Sequence, residues 1–424
     1  YDYLIIGGGI AGVTAAETIR EQDRNGIIGI ICDEGHLLYS RVLLPAYLKN
    51  RIHREQLFLR RGEDFVEKKI DLRLDAKVIG VDIKRKEVWL SNRETISYKK
   101  LLLSSGGKVK KWGSEEEYTY RLQTLDDADR FYANINRIKS PLVIGSSFIS
   151  LEFLEIFVTH KILPTVLLRD NYFLANILDY QGGELLRENF EMYGVVLQSS
   201  DEVEEINPHT FQLEGVGINL PTISQNGEIK EEEGKLRVVT KGLHEIQCDS
   251  IAVGVGIDRN LQFLIGSGVE LGENGIKVNE FLETNMEGIF AAGDVAEFYD
   301  LILGKHRVQG NWTNAFLQGK IAGLNMTGSR NPFKNVSAYS ITNLGFQITA
   351  LGDCDKDAES VVRIDRKNRR YERFFIRDGC IIGAALINSF QDKPYLATLI
   401  EKRVNMEVYR ERLSDWEFDI RTIS

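Results

Sequence analysis

The segment that decides the fold is Tyr3-Leu4-Ile5-Ile6-Gly7-Gly8-Gly9-Ile10-Ala11-Gly12, followed by a helical pattern from Val13 to Glu21. Its apolar start predicts a buried strand, and the helical period after the glycines predicts a strand–turn–helix unit. In this G-x-G-x-x-G spacing, Gly7 permits a tight turn, Gly9 lets a pyrophosphate approach the backbone, and Gly12 lets the helix pack on the strand. The segment therefore predicts a dinucleotide-binding βαβ unit.

The second strand of this unit, Ile27–Cys32, ends at Asp33-Glu34. Glu34 lies 22 positions after Gly12, where an acid that accepts ribose hydroxyls belongs, and Asp33 is the neighbouring candidate. The helix would point free N–H groups and its positive dipole end at the phosphates. A glycine-rich turn that binds nothing is the competing interpretation. The predicted binding residues are Gly7, Gly9, Ile10, Ala11, Gly12, Asp33 and Glu34.

A second unit of the same kind begins at Pro141-Leu142-Val143-Ile144, about 138 residues after the first. This strand leads into Gly145-Ser146-Ser147-Phe148-Ile149-Ser150, then a helical stretch, Leu151 to Phe157, and a strand, Thr165 to Leu168. Two βαβ starts predict two dinucleotide-binding modules. A further strand, Ser250 to Val253, ends at Gly254-Val255-Gly256.

The glycine motif of the second unit has serine at two of the three glycine positions of the G-x-G-x-x-G pattern. Ser147 adds a Cβ and a hydroxyl where a pyrophosphate would approach the backbone, and Ser150 replaces the close-packing glycine. Arg169 stands where an acid would bind the ribose of NADH, and it could pair with a 2′-phosphate. Two hypotheses stay open. The first is a pocket that binds NAD(P)H and either prefers NADPH or binds both cofactors weakly. The second is a vestigial site. The candidate residues are Gly145, Ser147, Phe148, Ile149, Arg169 and Gly256.

Composition and charge exclude several classes of protein. The chain has 424 residues, 43% hydrophobic and 27% charged, and its net charge of -9 gives no global reason to bind nucleic acid. No apolar run reaches the roughly 18 residues that a membrane span needs. The four cysteines form no CxxC pair and the six histidines show no ligand spacing. We expect a reduced cytoplasmic protein with no metal site, and an oligomer is possible.

The segment Glu283-Thr284-Asn285-Met286-Glu287-Gly288-Ile289-Phe290-Ala291-Ala292-Gly293-Asp294 resembles the second FAD fingerprint of the flavoproteins with two dinucleotide-binding domains. The resemblance covers nearly the whole chain. It is closest to the rubredoxin reductase and nitrite reductase flavin-domain branch of the FAD-dependent pyridine nucleotide-disulfide oxidoreductase superfamily. Four more stretches carry this judgement: residues 34–44, 122–128, 311–319 and 378–384.

This resemblance implies an α/β fold with two Rossmann-like dinucleotide-binding domains, of FAD and NAD(P) type, and a C-terminal α+β domain. We expect the FAD domain at 1–109 and 246–326, the NAD(P)-type domain at 110–245, and the C-terminal domain at 327–424. Glu152 would lie near the nicotinamide carboxamide. The implied FAD contacts are Arg41, Val42, Lys77, Val78, Ser104, Ser105, Gly106, Gly293, Asp294, Trp312 and Thr313.

The implied activity is electron transfer from NAD(P)H through FAD to a second acceptor, such as a small redox protein. One alternative is an FAD-containing subunit of a larger electron-transfer complex with a vestigial nicotinamide site. A third hypothesis is a non-catalytic FAD-binding interaction protein. In the implied mechanism the nicotinamide passes hydride to the flavin, and no side-chain nucleophile takes part.

The chain also departs from the family pattern. The segment from Tyr39 to Leu44 has no redox cysteine, which disfavours disulfide reduction. Pro45 and Ala46 stand where many relatives carry a lysine, and Gln123 stands where relatives often have arginine. A basic cluster has two interpretations, a solvated hairpin or a docking face for an acidic redox protein. Its members are Arg363, Arg366, Lys367, Arg369, Arg370, Arg373 and Arg377.

Overall fold

Two parallel sheets and one antiparallel sheet, each of five strands, make up the framework of the protein. The computed structural model describes residues 1–113, 117–208, 222–223, 229–230, 236–259 and 261–423. The long hairpin loop that the sequence predicts at 215–237 lies mostly outside the described residues. Among the described residues, no helix is both long enough and apolar enough to cross a membrane.

The first sheet places the strand before the first glycine motif at its centre. All of its strands are parallel, and all but the edge strand Ile70–Arg73 are short and largely apolar, as expected when both faces of a sheet are covered. Its strands, in spatial order, are Ile289–Ala291, Lys100–Leu103, Tyr3–Ile6, Ile28–Ile31 and Ile70–Arg73.

Two helices cross in close contact on this sheet, and glycines make the contact possible. A Cβ on Gly319 of helix Trp312–Met326 would lie 2.3 Å from the carbonyl oxygen of Ala11. A Cβ on Gly323 would lie 2.8 Å from the carbonyl oxygen of Ala15. Both carbonyl oxygens belong to helix Ile10–Gln22, so the two helices pack backbone against backbone at these glycines.

The second sheet is also parallel, and it contains a strand that we had expected in the FAD domain. Ser250–Val253 hydrogen-bonds to Pro141–Ile144 and to Thr119–Tyr120, so it continues the second sheet. The expected boundary between residues 245 and 246 cuts this sheet, and we propose a boundary after Val253 instead. The spatial order is Val196–Gln198, Thr165–Leu167, Pro141–Ile144, Ser250–Val253 and Thr119–Tyr120.

The third sheet is antiparallel, and two of its strands, Arg370–Arg377 and Cys380–Ile387, are joined by the turn at Arg377-Asp378-Gly379. Its central strand, Cys380–Ile387, is buried along its whole length. Helix Lys393–Lys402 packs on the sheet, and residues Glu407–Ser414 form a 3-10 helix. The order is Ala338–Asn343, Phe346–Gly352, Cys380–Ile387, Arg370–Arg377 and Glu359–Asp365.

Smaller strand pairs and helices complete the described fold. The remaining α-helices are Leu44–Leu48, Gly62–Glu67, Leu125–Asn134, Phe148–Thr159 and Tyr180–Met192. Three-stranded sheets comprise Val78–Asp82 with Glu87–Leu90 and Thr95–Ser97, Val203–Pro208 with Leu236–Thr240 and Glu245–Cys248, and Ile276–Val278 with Ala296–Asp300 and Lys305–Arg307. The two-stranded pairs are Lys108–Val109 with Ile257–Asp258, and Thr222–Ile223 with Ile229–Lys230.

Candidate cofactor site

The turn after the first strand depends on two glycines for its own packing. Gly7 has a φ of +117°, and a Cβ on it would lie 2.1 Å from the carbonyl oxygen of Ser104. A Cβ on Gly12 would lie 2.0 Å from the carbonyl oxygen of Gly7 and 2.8 Å from the Ser104 hydroxyl. A side chain at either position would therefore distort the strand–turn–helix unit itself.

Gly9 differs from these two glycines. It is the N-cap of helix Ile10–Gln22, with extended backbone at φ −75° and ψ −176°, which any residue can adopt. A Cβ on Gly9 would have no atom of the described chain within 4 Å. The helix N-terminus is therefore open to a ligand at this glycine, and its N–H groups suit a phosphate.

A second helix N-terminus converges on the same place. Gly293 has a φ of +82°, and a Cβ on it would lie 3.2 Å from the Cβ of Ala11 and 3.7 Å from that of Ala315. The first turns of helices Ile10–Gln22 and Trp312–Met326 thus meet at Gly293. Gly293 belongs to the segment that resembles the second FAD fingerprint, so this segment lies between the two helix N-termini.

Gln318 stabilises the turn at Gly293. Its Oε1 accepts a hydrogen bond from the Gly293 N–H at 2.7 Å, and the side chain is fully buried. Its Nε2 is also buried and has no hydrogen-bond partner among the described residues. Because a buried donor without a partner destabilises a protein, a polar ligand at this turn would be a favourable partner.

Asp294 follows directly and is held in a low-polarity environment. Burial raises the pKa of its carboxyl, and the nearby guanidinium groups of Arg259 and Arg41 oppose that rise. The Nε of Arg259 also donates to the backbone oxygen of Asp294. Sequence reasoning missed Arg259, since only the packing of distant segments places it beside the fingerprint.

Glu34, the predicted ribose acid, has two side-chain partners. The Tyr39 hydroxyl donates to its Oε2 at 2.7 Å, and the Arg41 guanidinium pairs with its Oε1. Arg41 also donates to the backbone oxygen of Gln123 at 2.7 Å. The carboxylate therefore helps to hold the Tyr39–Arg41 segment beside the Asp294 turn.

A cleft lies between the first sheet and the segment around Val78. Asp33, whose carboxylate pairs with Lys108 at 2.9 Å, lies at its edge. Five of the predicted FAD contacts outside the glycine turn line this cleft: Asp33, Lys77, Val78, Ser105 and Gly106.

Four other predicted contacts have different surroundings. Ser104 is buried and donates to the carbonyl oxygen of Ile6 at 3.0 Å, so its hydroxyl supports the turn. Val42 and Thr313 are exposed, and Trp312 packs partly against the core of the first sheet. Together, the cleft, the Gly9 helix end and the Asp294 turn fit an elongated dinucleotide such as FAD.

The second glycine motif has the same turn but a different helix end. Gly145 has a φ of +108°, and a Cβ on it would lie 2.6 Å from the carbonyl oxygen of Gly254. Ser147 caps helix Phe148–Thr159 by accepting from the Ser150 N–H at 3.3 Å. A Cβ on Gly254 would lie 2.7 Å from the Ser147 hydroxyl and 2.2 Å from that of Ser150. Both hydroxyls thus face Gly254.

The other predicted nicotinamide-site residues lie along the same edge of the second sheet. Arg169 follows strand Thr165–Leu167 with 75% of its side chain exposed. Gly256 has a φ of +91° and accepts from the Lys110 N–H at 3.1 Å. Phe148 packs edge-on against Tyr339 with ring centroids 4.6 Å apart, and the neighbouring Ile149 is partly buried.

Glu152 belongs to a buried ionic cluster that the sequence did not reveal. Its Oε2 lies 3.3 Å from the ammonium nitrogen of Lys49, which also pairs with Glu155. All three residues are at least nine-tenths buried, and burial raises the pKa of the Glu152 carboxyl. Lys49 caps the short helix Leu44–Leu48, which follows the Tyr39–Arg41 segment. The cluster therefore joins that segment to the helix of the second glycine motif.

Residues 1–319 match the pyridine nucleotide-disulphide oxidoreductase family. The chain belongs to this family. The predicted fold class and superfamily are therefore confirmed, and FAD and NAD(P)H are the cofactors of this pyridine nucleotide-disulphide oxidoreductase. Residues 340–404 match the C-terminal domain of rubredoxin NAD+ reductase.

The chain is similar to several known proteins along most of its own length. It is 28% identical over 392 residues to human apoptosis-inducing factor 3, covering 91% of this chain and only 60% of that relative. It is 25% identical to the ferredoxin–NAD(+) reductase component of a Burkholderia cepacia anthranilate 1,2-dioxygenase system, covering 92% of this chain and 91% of that one. A ferredoxin reductase structure from Rhodopseudomonas palustris has the same fold, with a TM-score of 0.84, 22% identity and 99% coverage of both chains.

The basic cluster of the C-terminal domain is not a uniform solvated face. Arg363 is buried and pairs with the fully buried Glu372 at 2.7 Å, and it donates to the backbone oxygen of Phe418 at 2.8 Å. Arg377 pairs with Asp355, and Arg366 lies 3.4 Å from Glu188. Arg363 is therefore not part of a solvated face, and the solvated-hairpin and docking-face interpretations of the other six cations stay predictions.

Proposed function

We propose that this protein is an FAD-dependent oxidoreductase that takes electrons from NAD(P)H and passes them to a small external redox protein. The convergence of two helix N-termini at Gly293, beside the cleft along Val78, carries the proposal. We assign the nicotinamide dinucleotide to the second parallel sheet, at the N-terminus of helix Phe148–Thr159, which Ser147 caps.

The protein's own residues hold and tune the cofactors. When bound, FAD supplies the chemistry that accepts a hydride equivalent from the nicotinamide and releases electrons to an acceptor. The two helix N-termini stabilise negative charge at the Gly293–Asp294 turn. Lys49 keeps the Glu152 carboxylate paired inside the protein, so that helix Phe148–Thr159 stays in register with the Tyr39–Arg41 segment.

The surroundings of the four cysteines support an electron acceptor outside this chain rather than one of its own thiols. Cys32, Cys248 and Cys380 are buried, and Cys354 is half-buried. Burial raises the pKa of Cys248 and of Cys354 to about 12, and it also raises that of Cys32. Since the thiolate is the reactive form of cysteine, these thiols are poor redox groups near neutral pH. The ferredoxin–NAD(+) reductase relative supports an iron–sulfur protein as the acceptor class.

The test follows electrons in two stages under anaerobic conditions. FAD-loaded protein is mixed with NADH or NADPH and the loss of flavin absorbance is recorded; a [2Fe–2S] ferredoxin or a rubredoxin is then added. We expect flavin bleaching by at least one nicotinamide and catalytic reduction of the added protein. Bleaching without reduction of either protein would refute this acceptor class. Absence of bleaching with both cofactors would refute the proposal and favour a subunit that receives electrons from a protein partner.

A further inference from the structure

We propose that Gln123 is a positioning residue whose side-chain amide clamps the crossing between the two parallel sheets. The clamp sets how the helix of the second glycine motif approaches the FAD site. This inference rests on the proposed function, because hydride transfer between two dinucleotides requires that the two sheets keep a fixed relative orientation. In the sequence, Gln123 stands out only because relatives often have arginine at this position.

The chain passes twice between the two parallel sheets, and the two passages pair with each other. Lys108–Val109 follows the first-sheet strand Lys100–Leu103 and leads to the second sheet. Ile257–Asp258 follows the second-sheet strand Ser250–Val253 and leads back. The two passages form one short antiparallel pair, which we call the crossing ribbon. A ribbon of two residues on each strand has few hydrogen bonds of its own, so its shape depends on what surrounds it.

The Gln123 side chain bonds to the backbone on both sides of Lys108. Its Oε1 accepts from the Val109 N–H at 2.5 Å, and its Nε2 donates to the Gly107 carbonyl oxygen. Gln123 itself precedes helix Leu125–Asn134, whose buried face packs into the same core as the second sheet. One side chain therefore fixes the crossing ribbon to the second sheet and its helix.

An amide suits this position because the clamp needs a donor and an acceptor at once. The Val109 N–H requires an acceptor, and the Gly107 carbonyl requires a donor. Glutamine offers both, whereas arginine offers donors alone. The ribbon is also tightly packed at this point, since a Cβ on Gly107 would lie 2.8 Å from the side chain of Ile257.

Both passages of the ribbon are tied to the cofactor site. The Lys108 ammonium group pairs at 2.9 Å with the carboxylate of Asp33, at the edge of the cleft. Arg259 directly follows the second passage, and its Nε donates to the backbone oxygen of Asp294. A tilt of the ribbon therefore moves the second sheet relative to two predicted FAD contacts.

The first measurement is anaerobic stopped-flow reduction of the FAD-loaded protein over a concentration series of NADH and of NADPH. In Gln123→Met we expect the limiting rate of flavin reduction to fall about tenfold, because a small misplacement of two reacting groups slows their reaction strongly. The apparent dissociation constant of the nicotinamide should change less than about twofold, since Gln123 bonds to the ribbon. Gln123→Glu keeps the acceptor for Val109 but loses the donor to Gly107, so its rate should lie between these two.

The second measurement is amide hydrogen exchange of residues 104–110 and 254–259 in the FAD-loaded protein without nicotinamide. Exchange there should be several-fold faster in Gln123→Met, because the ribbon opens more often without the clamp. Gln56→Met is the matched control and should leave both measurements unchanged. The Gln56 amide also accepts from a backbone N–H, that of His53 at 2.8 Å, but in the 3-10 helix Arg54–Leu57.

Unchanged exchange in Gln123→Met, or a limiting rate no lower than in Gln56→Met, would overturn the inference. A roughly tenfold weaker nicotinamide affinity at an unchanged limiting rate would also overturn it, since Gln123 would then act in binding. If neither nicotinamide bleaches the flavin of the unmodified protein, the proposed function fails, and hydrogen exchange alone decides whether Gln123 is the clamp. If Gln123→Met does not fold, Gln123→Glu is compared in both measurements instead.

Discussion

Replacing Gly9 by alanine should separate cofactor binding from folding. A Cβ at this position meets no atom of the described chain within 4 Å, and the backbone is extended at φ −75°. Alanine is a poorer N-cap than glycine by about 1 kcal/mol, whereas restricting the unfolded chain contributes about 0.4–1 kcal/mol in the opposite direction. We therefore expect the stability of the FAD-free protein to change by less than about 1 kcal/mol.

FAD binding should respond much more strongly. The added methyl group would lie where the pyrophosphate approaches the helix N-terminus. Loss of one charge-assisted hydrogen bond there is worth about 1.5–3 kcal/mol, which corresponds to roughly 10- to 150-fold in the dissociation constant. Gly9→Val, with a larger side chain, should abolish binding.

Gly12→Ala is the matched comparison. Its Cβ would lie 2.0 Å from the Gly7 carbonyl oxygen, so overpacking should destabilise the protein by about 1–3 kcal/mol even without FAD. The assay pairs urea unfolding of the FAD-free protein with fluorescence titration of FAD. Unchanged FAD affinity in Gly9→Ala would refute the placement of the pyrophosphate. A large loss of stability in Gly9→Ala without FAD would refute the distinction between the two glycines.

Three further predictions concern other parts of the protein. Replacing each cysteine in turn by serine should leave the stopped-flow rate of flavin reduction unchanged; loss of electron flow in a folded, FAD-loaded variant would contradict this. Lys49→Met removes the cation that pairs with the buried Glu152 carboxylate and leaves the buried Glu155 with the exposed Arg51. Urea unfolding should therefore show a loss of about 3–5 kcal/mol, against less than about 1 kcal/mol for Lys277→Met in an exposed pair. Burial raises the pKa of Glu372 to about 7, so the folded state holds a proton that the unfolded chain releases above about pH 4.5. This group should therefore lower the free energy of unfolding by roughly 3 kcal/mol as the pH rises from 4.5 to 7. Glu372→Gln should reduce this pH dependence when urea unfolding is measured across the range. An unchanged pH dependence would contradict the raised pKa of Glu372.

The sequence alone determined the local units of this protein. Strand, glycine turn and helix lie within about 20 consecutive residues, so apolar period and glycine spacing predict them directly at Tyr3–Gly12 and again at Pro141–Ser150. The positive φ of Gly7 and of Gly145 shows why glycine is required at each turn. The fingerprint ending at Asp294 predicted the second contribution to the FAD site through resemblance. The individual contact residues and the domain boundaries stay predictions.

Only the tertiary structure decided which distant side chains meet. Lys49 and Glu152 are 103 residues apart, and neither sequence segment indicates that they form a buried pair. Likewise, the backbone of Asp294 meets Arg259, and Glu202 is shared by Arg169 and Lys241, because sheets and hairpins bring separate segments together. Arg363, one of seven similar cations in the sequence, is the one buried against Glu372. The sequence around a charged residue does not show whether the residue is buried or which partner it meets, since both depend on how whole elements pack.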